Sequence, residues 1–63
     1  MFRILVAEDS DSARFLMCEV LRRAGHEPCP ARDGVEALEV MEHYQCDLAV
    51  VDITISPVGR NTF

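Results

Sequence analysis

The stretch DLAVVD, residues Asp47–Asp52, decides the fold. It places four apolar residues in a row between two carboxylates, and it is too short for a helix. Such a run is typical of a strand that is buried on both faces, as in the centre of a parallel sheet. Asp52 would then lie at the carboxyl end of the strand, where ligands bind in open α/β sheets. Taken alone, the commoner explanation is that Asp52 caps the turn that follows.

Length and composition limit the classes of protein to which the chain can belong. Sixty-three residues form one domain at most, and a chain of this size buries only about 60% of the surface that its unfolded form exposes. The net charge of −5 argues against nucleic acid or an anionic membrane as a direct partner. All six basic residues are arginine, so the chain has no lysine. The first apolar run is too short for a signal peptide or a membrane span.

Three cysteines, Cys18, Cys29 and Cys46, are widely spaced along the chain. An odd number at such spacing favours reduced thiols in a cytoplasmic protein over a disulfide framework. Two of them belong to a repeated H-x-x-C pattern, with His26 before Cys29 and His43 before Cys46, and these four side chains could bind zinc. A buried apolar role for both cysteines is favoured, because a free cysteine behaves as a small hydrophobe.

The chain predicts alternating strands and helices. Residues 2–7 are rich in strand formers, and a helix follows that Ser10 or Asp11 can cap and that Gly25 ends. This helix carries an apolar stripe at helical spacing, which we expect to be buried: Ala13, Leu16, Met17, Val20, Leu21 and Ala24. Residues 26–31 contain two prolines and therefore predict an edge strand.

A second helical pattern spans residues 35–44, after the Asp33–Gly34 turn. The order β-α-β-α-β predicts an α/β fold with three parallel strands in the order 2-1-3 and one helix on each face. In this order Glu8 and Asp9 after the first strand and Asp52 after the third converge at one edge of the sheet.

Three converging carboxylates repel one another unless a cation lies between them. A hard divalent ion with oxygen ligands, most plausibly Mg²⁺, is the predicted occupant. Alternatively, Glu8 and Asp9 interact with the dipole of the first helix, and both roles can hold at once.

Three segments carry a family resemblance: ILVAED at residues 4–9, ARDGVEAL at 31–38 and DLAVVDI at 47–53. In order and spacing they resemble the receiver domain of bacterial two-component response regulators. The resemblance implies a truncated flavodoxin-like fold, with residues 1–55 as a partial receiver domain and residues 56–63 as a divergent tail.

The resemblance also implies a function. Asp52 matches the aspartate that accepts a phosphoryl group from a histidine kinase or a histidine phosphotransfer protein, which is a signalling role more than that of a turnover enzyme. Glu8, Asp9 and Asp52 would bind Mg²⁺, together with the backbone carbonyl of Thr54. Such a metal would keep Asp52 ionised as a nucleophile and orient the phosphoryl group for in-line attack.

The chain departs from the family after its third strand. Receiver domains have five strands and five helices, and their fourth and fifth strands supply a Ser or Thr hydroxyl and a Lys that contact the phosphoryl group. Neither strand is present here. The third strand would then expose an apolar edge. This predicts either a fragment of a longer receiver or a homo-oligomer that forms through this strand or by a swapped arrangement.

The first helix has a second face, formed by Asp11, Phe15, Cys18 and Arg22, which we expect to be exposed. In the receiver family this face meets the phosphodonor, so the four residues are candidates for docking; incidental surface apolarity is the alternative. A second function is therefore a truncated receiver that docks a kinase or its own kind without phosphotransfer. A phosphatase of the haloacid dehalogenase type is disfavoured, because that chemistry needs a second acid where Thr54 stands.

Overall fold

A three-stranded parallel sheet forms the centre of the computed structural model, which describes residues 1–53. The elements in chain order are β1 (Arg3–Glu8), α1 (Asp11–Arg23), β2 (Glu27–Ala31), α2 (Gly34–His43) and β3 (Leu48–Asp52). The strand order is β2-β1-β3, so the predicted α/β fold and its topology are confirmed. The predicted tail, residues 56–63, and Thr54 lie outside the described residues.

Local signals define the ends of both helices. Ser10 caps α1, since its hydroxyl accepts a hydrogen bond from the Ala13 N–H. Gly25 follows α1 with a φ of 89°, a left-handed conformation that glycine adopts without steric cost. At the start of α2, the Asp33 carboxylate accepts from the Glu36 N–H at 2.8 Å, while the Glu36 carboxylate accepts from the Arg32 N–H at 2.9 Å. The first bond satisfies an N–H group that the helix start leaves unpaired, and the second ties the residue before the cap to the first turn of α2.

The two faces of β1 bury separate apolar clusters. On one face, Leu5 and Ala7 pack with Ala31 of β2 and Ala37 of α2. On the other face, Ile4 and Val6 pack with Cys18 of α1. One helix therefore covers each face of the sheet, as predicted, and β1 is the buried centre of the fold.

For the described residues, the first expectation for the third strand, burial on both faces, is wrong, whereas the expected exposure of its apolar residues is confirmed. All five residues of β3 are exposed. The reason is topological, because β3 is an edge strand and both helices pack over β1 and β2. A short apolar run identifies a strand but does not determine which neighbours cover it.

The same placement changes which face of α1 is buried. Leu16 and Val20, two residues of the predicted apolar stripe, are 62% and 59% exposed. Met17 and Leu21 of the predicted stripe do meet the sheet, and Cys18, which was not part of that stripe, lies between them. The helix was predicted correctly, but its buried face is rotated toward β2.

Leu5 offers a direct test of where the core lies. Its side chain is 1% exposed, and replacement by alanine removes buried methyl groups and leaves a cavity. We expect Leu5→Ala to lower the free energy of unfolding by about 2–5 kcal/mol, measured by urea denaturation with circular dichroism. Leu38→Ala is the matched control, because Leu38 is 60% exposed on α2, and it should change that free energy by less than about 0.5 kcal/mol. Equal effects of the two substitutions would contradict this core.

Candidate functional site

Two acidic residues meet where β1 and β3 end. The parallel register places Glu8 directly beside Asp52. Residues in line on neighbouring strands project on the same face, and this face is the one that α1 covers. Asp52 is exposed, whereas Glu8 is only 5% exposed. The predicted convergence of Glu8 and Asp52 is therefore present in the fold.

Glu8 is a buried carboxyl group held by the turn that follows it. Its Oε1 accepts a hydrogen bond from the Ser10 N–H at 3.0 Å. This bond lowers the pKa of Glu8, but burial and the neighbouring carboxylates of Asp52 and Asp9 act the other way, and the net pKa is raised. A raised carboxyl pKa means that the folded site disfavours the ionised form of Glu8. The negative charge at this edge is thus only partly balanced by the protein.

Arg14 stabilises the same edge, and sequence patterns did not identify it. Its guanidinium Nη1 donates to the backbone carbonyl of Glu8 at 2.8 Å, and its Nη2 contacts the Asp11 carboxylate. The i, i+3 spacing of Asp11 and Arg14 could have indicated the ion pair. The contact with the Glu8 carbonyl depends on how α1 lies against β1, for which the sequence contains no local signal.

The donor set at this edge fits a divalent cation with oxygen ligands. Glu8 and Asp52 are adjacent. Burial, and then the side chains of Asp52 and Asp9, raise the pKa of Glu8, and a cation at this edge would oppose these effects. Within residues 1–53, no three His, Cys, Asp or Glu side chains form a group that could hold a metal ion, so Glu8, Asp9 and Asp52 do not form one. Mg²⁺ does not require one, because it usually binds one or two carboxylates and retains several waters. The predicted fourth ligand, the carbonyl of Thr54, lies outside the described residues.

The four docking candidates on α1 line one shallow depression of about 330 Å³. Phe15 is 69% exposed there, and Asp11 and Arg22 are exposed as well. The expectation that Cys18 is exposed is wrong, since it is 6% exposed and packs on Ile4 and Val6. Cys18 lies within the helical face that meets the sheet, and burial raises the pKa of its thiol. The exposed part of this surface therefore consists of Phe15 and the charged residues around it.

The histidines of the H-x-x-C pattern are engaged in local hydrogen bonds. Nδ1 of His26 accepts from the Phe2 N–H at 3.1 Å, and Nδ1 of His43 lies 2.8 Å from the Glu39 carbonyl. Cys29 is buried in β2, and burial raises the pKa of its thiol, with a further contribution from the neighbouring Cys46. All three cysteines are free thiols in the fold.

Similarity to known proteins covers nearly the whole chain. The CAI-1 autoinducer sensor kinase/phosphatase CqsS of Vibrio cholerae is 40% identical over 57 residues, which is 90% of this chain and 8% of that protein. Protein-glutamate methylesterase/protein-glutamine glutaminase 4 of Myxococcus xanthus is 45% identical over 56 residues, which is 81% of this chain and 15% of that protein. The homologous segments are response-regulator receiver domains, and the chain is similar to a fragment of such a domain.

A third relative extends the comparison. The uncharacterized transcriptional regulatory protein YrkP of Bacillus subtilis is 42% identical over 58 residues, which is 92% of this chain and 25% of that protein. The chain thus spans between 8% and 25% of the length of these receiver-containing relatives. No family model and no solved structure matches this receiver segment. Neither α1 nor α2 has the length and apolar character needed to cross a membrane.

The raised pKa of Glu8 predicts how the stability of this receiver segment depends on pH. Because the folded-state pKa lies above that of the unfolded chain, the folded state binds more protons in the interval between the two values. Stability should therefore fall as the pH rises through that interval. We expect Glu8→Gln, which retains an acceptor for the Ser10 N–H, to remove this loss and to raise the melting temperature at pH 7 without divalent cations.

Glu42→Gln is the control, because Glu42 is exposed on α2, away from this edge. It should leave the pH profile of the melting temperature unchanged. If Glu8→Gln and Glu42→Gln gave the same profile as the unsubstituted chain, repulsion at the acidic edge would not be a feature of the fold.

Proposed function

We propose that the chain is the phosphoacceptor part of a response-regulator receiver. Asp52 accepts a phosphoryl group from a histidine kinase or a histidine phosphotransfer protein, with Mg²⁺ as the cofactor, and the chain acts as a signalling component more than as a turnover enzyme. The observation that carries the proposal is the register that sets Glu8 beside Asp52 at the carboxyl edge of the sheet. Similarity to receiver domains supports it.

The acidic residues have two roles in this mechanism, as nucleophile and as metal ligands. A carboxylate oxygen of Asp52 attacks the phosphorus atom, so that an O–P bond forms while the N–P bond of the phosphohistidine breaks. Asp52 is exposed at the end of an edge strand, which leaves room for the donor to approach. Glu8, Asp9 and Asp52, with the Thr54 carbonyl, would hold the metal. Mg²⁺ held there would supply positive charge against the phosphoryl oxygens.

The surrounding groups position these acids. The Ser10 N–H fixes one oxygen of Glu8, and Arg14 holds the backbone carbonyl of the same residue. The orientation of Glu8 is thus set before any ligand binds, which reduces the reorganisation needed for metal binding. The acids themselves repel one another without a cation, as the raised pKa of Glu8 indicates.

The depression on α1 supports a second candidate function, docking without phosphotransfer. Its exposed residues Asp11, Phe15 and Arg22 form a surface with one aromatic side chain between charges of both signs. An exposed aromatic residue with charged neighbours is a typical anchor in protein interfaces. In this alternative, the chain docks a kinase without accepting a phosphoryl group.

The remaining parts of the proposal concern location and assembly. Three free thiols fit a reducing compartment, and we place the chain in the cytoplasm. The net charge of −5 disfavours direct contact with nucleic acid or an anionic membrane surface. We also propose that the 63-residue chain forms a homo-oligomer through β3.

Phosphoryl uptake distinguishes the two functions. Incubation with acetyl phosphate and Mg²⁺ should add one phosphoryl group, detected by intact-mass spectrometry, and Asp52→Asn should abolish the addition. Asp33→Asn is the control, because asparagine caps a helix as well as aspartate does, and it should react like the unsubstituted chain. Uptake that survives Asp52→Asn would reject Asp52 as the acceptor, and no uptake by any form would leave the docking function.

Docking can be measured separately. We expect Phe15→Ala to weaken binding to histidine-containing phosphotransfer domains by roughly tenfold or more in Kd, as for a central interface aromatic. Isothermal calorimetry with a panel of such domains is a suitable assay. Val35→Ala should have no effect, since Val35 is equally exposed but lies on α2, which covers the opposite face of the sheet. Equal losses for both variants would exclude the α1 surface.

A further inference from the structure

Cys29 and Cys46 lie together on the face of the sheet that α2 covers. The register between β1 and β2 sets Cys29 beside Leu5, whose side chain belongs to the apolar cluster of that face. Cys46 packs against the same cluster from the loop between α2 and β3. Both thiols act electrostatically on the Arg3 guanidinium, and their side chains are within hydrogen-bonding reach of each other. The fold therefore brings two free thiols together.

Backbone hydrogen bonds hold both cysteines in place. The residue after Cys46, Asp47, donates its N–H to the Arg3 carbonyl at 2.7 Å and accepts from the Arg3 N–H at 2.8 Å. Before Cys46, the Tyr44 N–H donates to the last turn of α2 at 2.8 Å. Cys29 lies in the middle of β2, which pairs with β1 along its whole length. None of these contacts involves the outer edge of β3, so the thiol pair does not depend on what covers that edge.

Small molecules can reach the pair from two sides. Cys46 is half-buried and lines a hollow of about 420 Å³ beside Tyr44. Cys29 is 8% exposed, and it lines a second hollow of about 280 Å³ between β2 and α2. Burial raises the pKa of the Cys29 thiol, which slows its own attack on an oxidant. Cys46 is therefore the thiol that a small oxidant reaches first, with Cys29 beside it.

We propose that Cys29 and Cys46 form a reversible disulfide bond when the chain encounters a hydroperoxide. The Cys46 sulfur attacks a peroxide oxygen, so that an S–O bond forms, the O–O bond breaks, and water or an alcohol leaves. The Cys29 sulfur then attacks the Cys46 sulfur: the S–S bond forms, the S–O bond breaks, and the oxygen leaves as water with the Cys29 proton. The two thiols supply the two electrons that reduce the peroxide, and a thiol reductant restores them by exchange.

The crosslink joins β2 to the loop that sets the register of β3. It closes a loop that contains all of α2, and such a bond stabilises a fold by restricting the unfolded chain. Asp52 lies at the opposite end of β3, so the acidic edge stays open. We expect oxidation to raise the melting temperature by about 10 °C. A lower melting temperature for the oxidised chain would overturn the proposal, because the bond would then form only by distorting the fold.

Peptide mapping of the unsubstituted 63-residue chain tests the pairing. Because the chain has no lysine, trypsin cleaves it only at arginine, and each cysteine falls in a different peptide: Cys18 in residues 15–22, Cys29 in 24–32 and Cys46 in 33–60. Dilute protein is treated with hydrogen peroxide, alkylated in denaturant and digested without reduction. Mass spectrometry should then find peptide 24–32 linked to peptide 33–60, with peptide 15–22 alkylated. Dithiothreitol should restore both linked thiols.

The third cysteine and the unfolded chain are the controls. Cys18 packs on the other face of the sheet, so Cys18→Ala should form the same link at an unchanged rate, whereas Cys46→Ala should form no intramolecular link. In guanidinium all three pairings are accessible. The ratio of the Cys29–Cys46 link to the other two should be roughly tenfold higher in the folded chain.

Equal ratios in the folded and the unfolded chain would overturn the proposal, as would a folded chain in which Cys18 is linked as often as its two counterparts. This comparison needs no variant, so it decides the matter even if a substituted chain does not fold. The inference does not depend on the proposed function, because none of these measurements requires phosphoryl transfer to Asp52.

Discussion

The register between β1 and β3 is the constraint on which the candidate site depends. It is set at the other end of the two strands, where the Asp47 N–H donates to the Arg3 carbonyl at 2.7 Å and the Asp47 carboxylate accepts from the Arg3 N–H at 2.8 Å. A slip by one residue would turn every side chain of β3 to the opposite face of the sheet. Because this pair of bonds holds the register, Glu8 and Asp52 are neighbours at the far end of both strands.

Without a bound cation, the charged form of Glu8 is energetically unfavourable in this site. Glu8 loses most of its contact with water and lies beside a second carboxylate, and both effects disfavour its charged form. The hydrogen bond from the Ser10 N–H offsets part of this unfavourable energy. The burial of β1 in two apolar clusters stabilises the fold against the rest. A cation bound at this site would offset the unfavourable burial and repulsion of these carboxylates.

Local patterns predict the elements of this fold because strand and helix periodicity depend on nearby residues only. The strand order, both helices and the pairing of Glu8 with Asp52 follow from such patterns together with the rules for crossover connections. The burial of β3 and the exposure of Cys18 were predicted wrongly, because each depends on which elements cover which strand. The contacts of Asp47 and Arg14 join residues across the fold, and neither has a periodic signal in the sequence. The metal, the phosphoryl acceptor and the docking surface remain predictions.

Strand β3 combines an acidic residue at its carboxyl end, Asp52, with apolar residues along the rest of its length. The carboxyl end of β3 must be open to solvent if a phosphodonor is to reach Asp52. Yet four of the five residues of β3 are apolar and exposed. A strand placed in the centre of a sheet would satisfy both demands, with neighbours on either side and its carboxyl end still open.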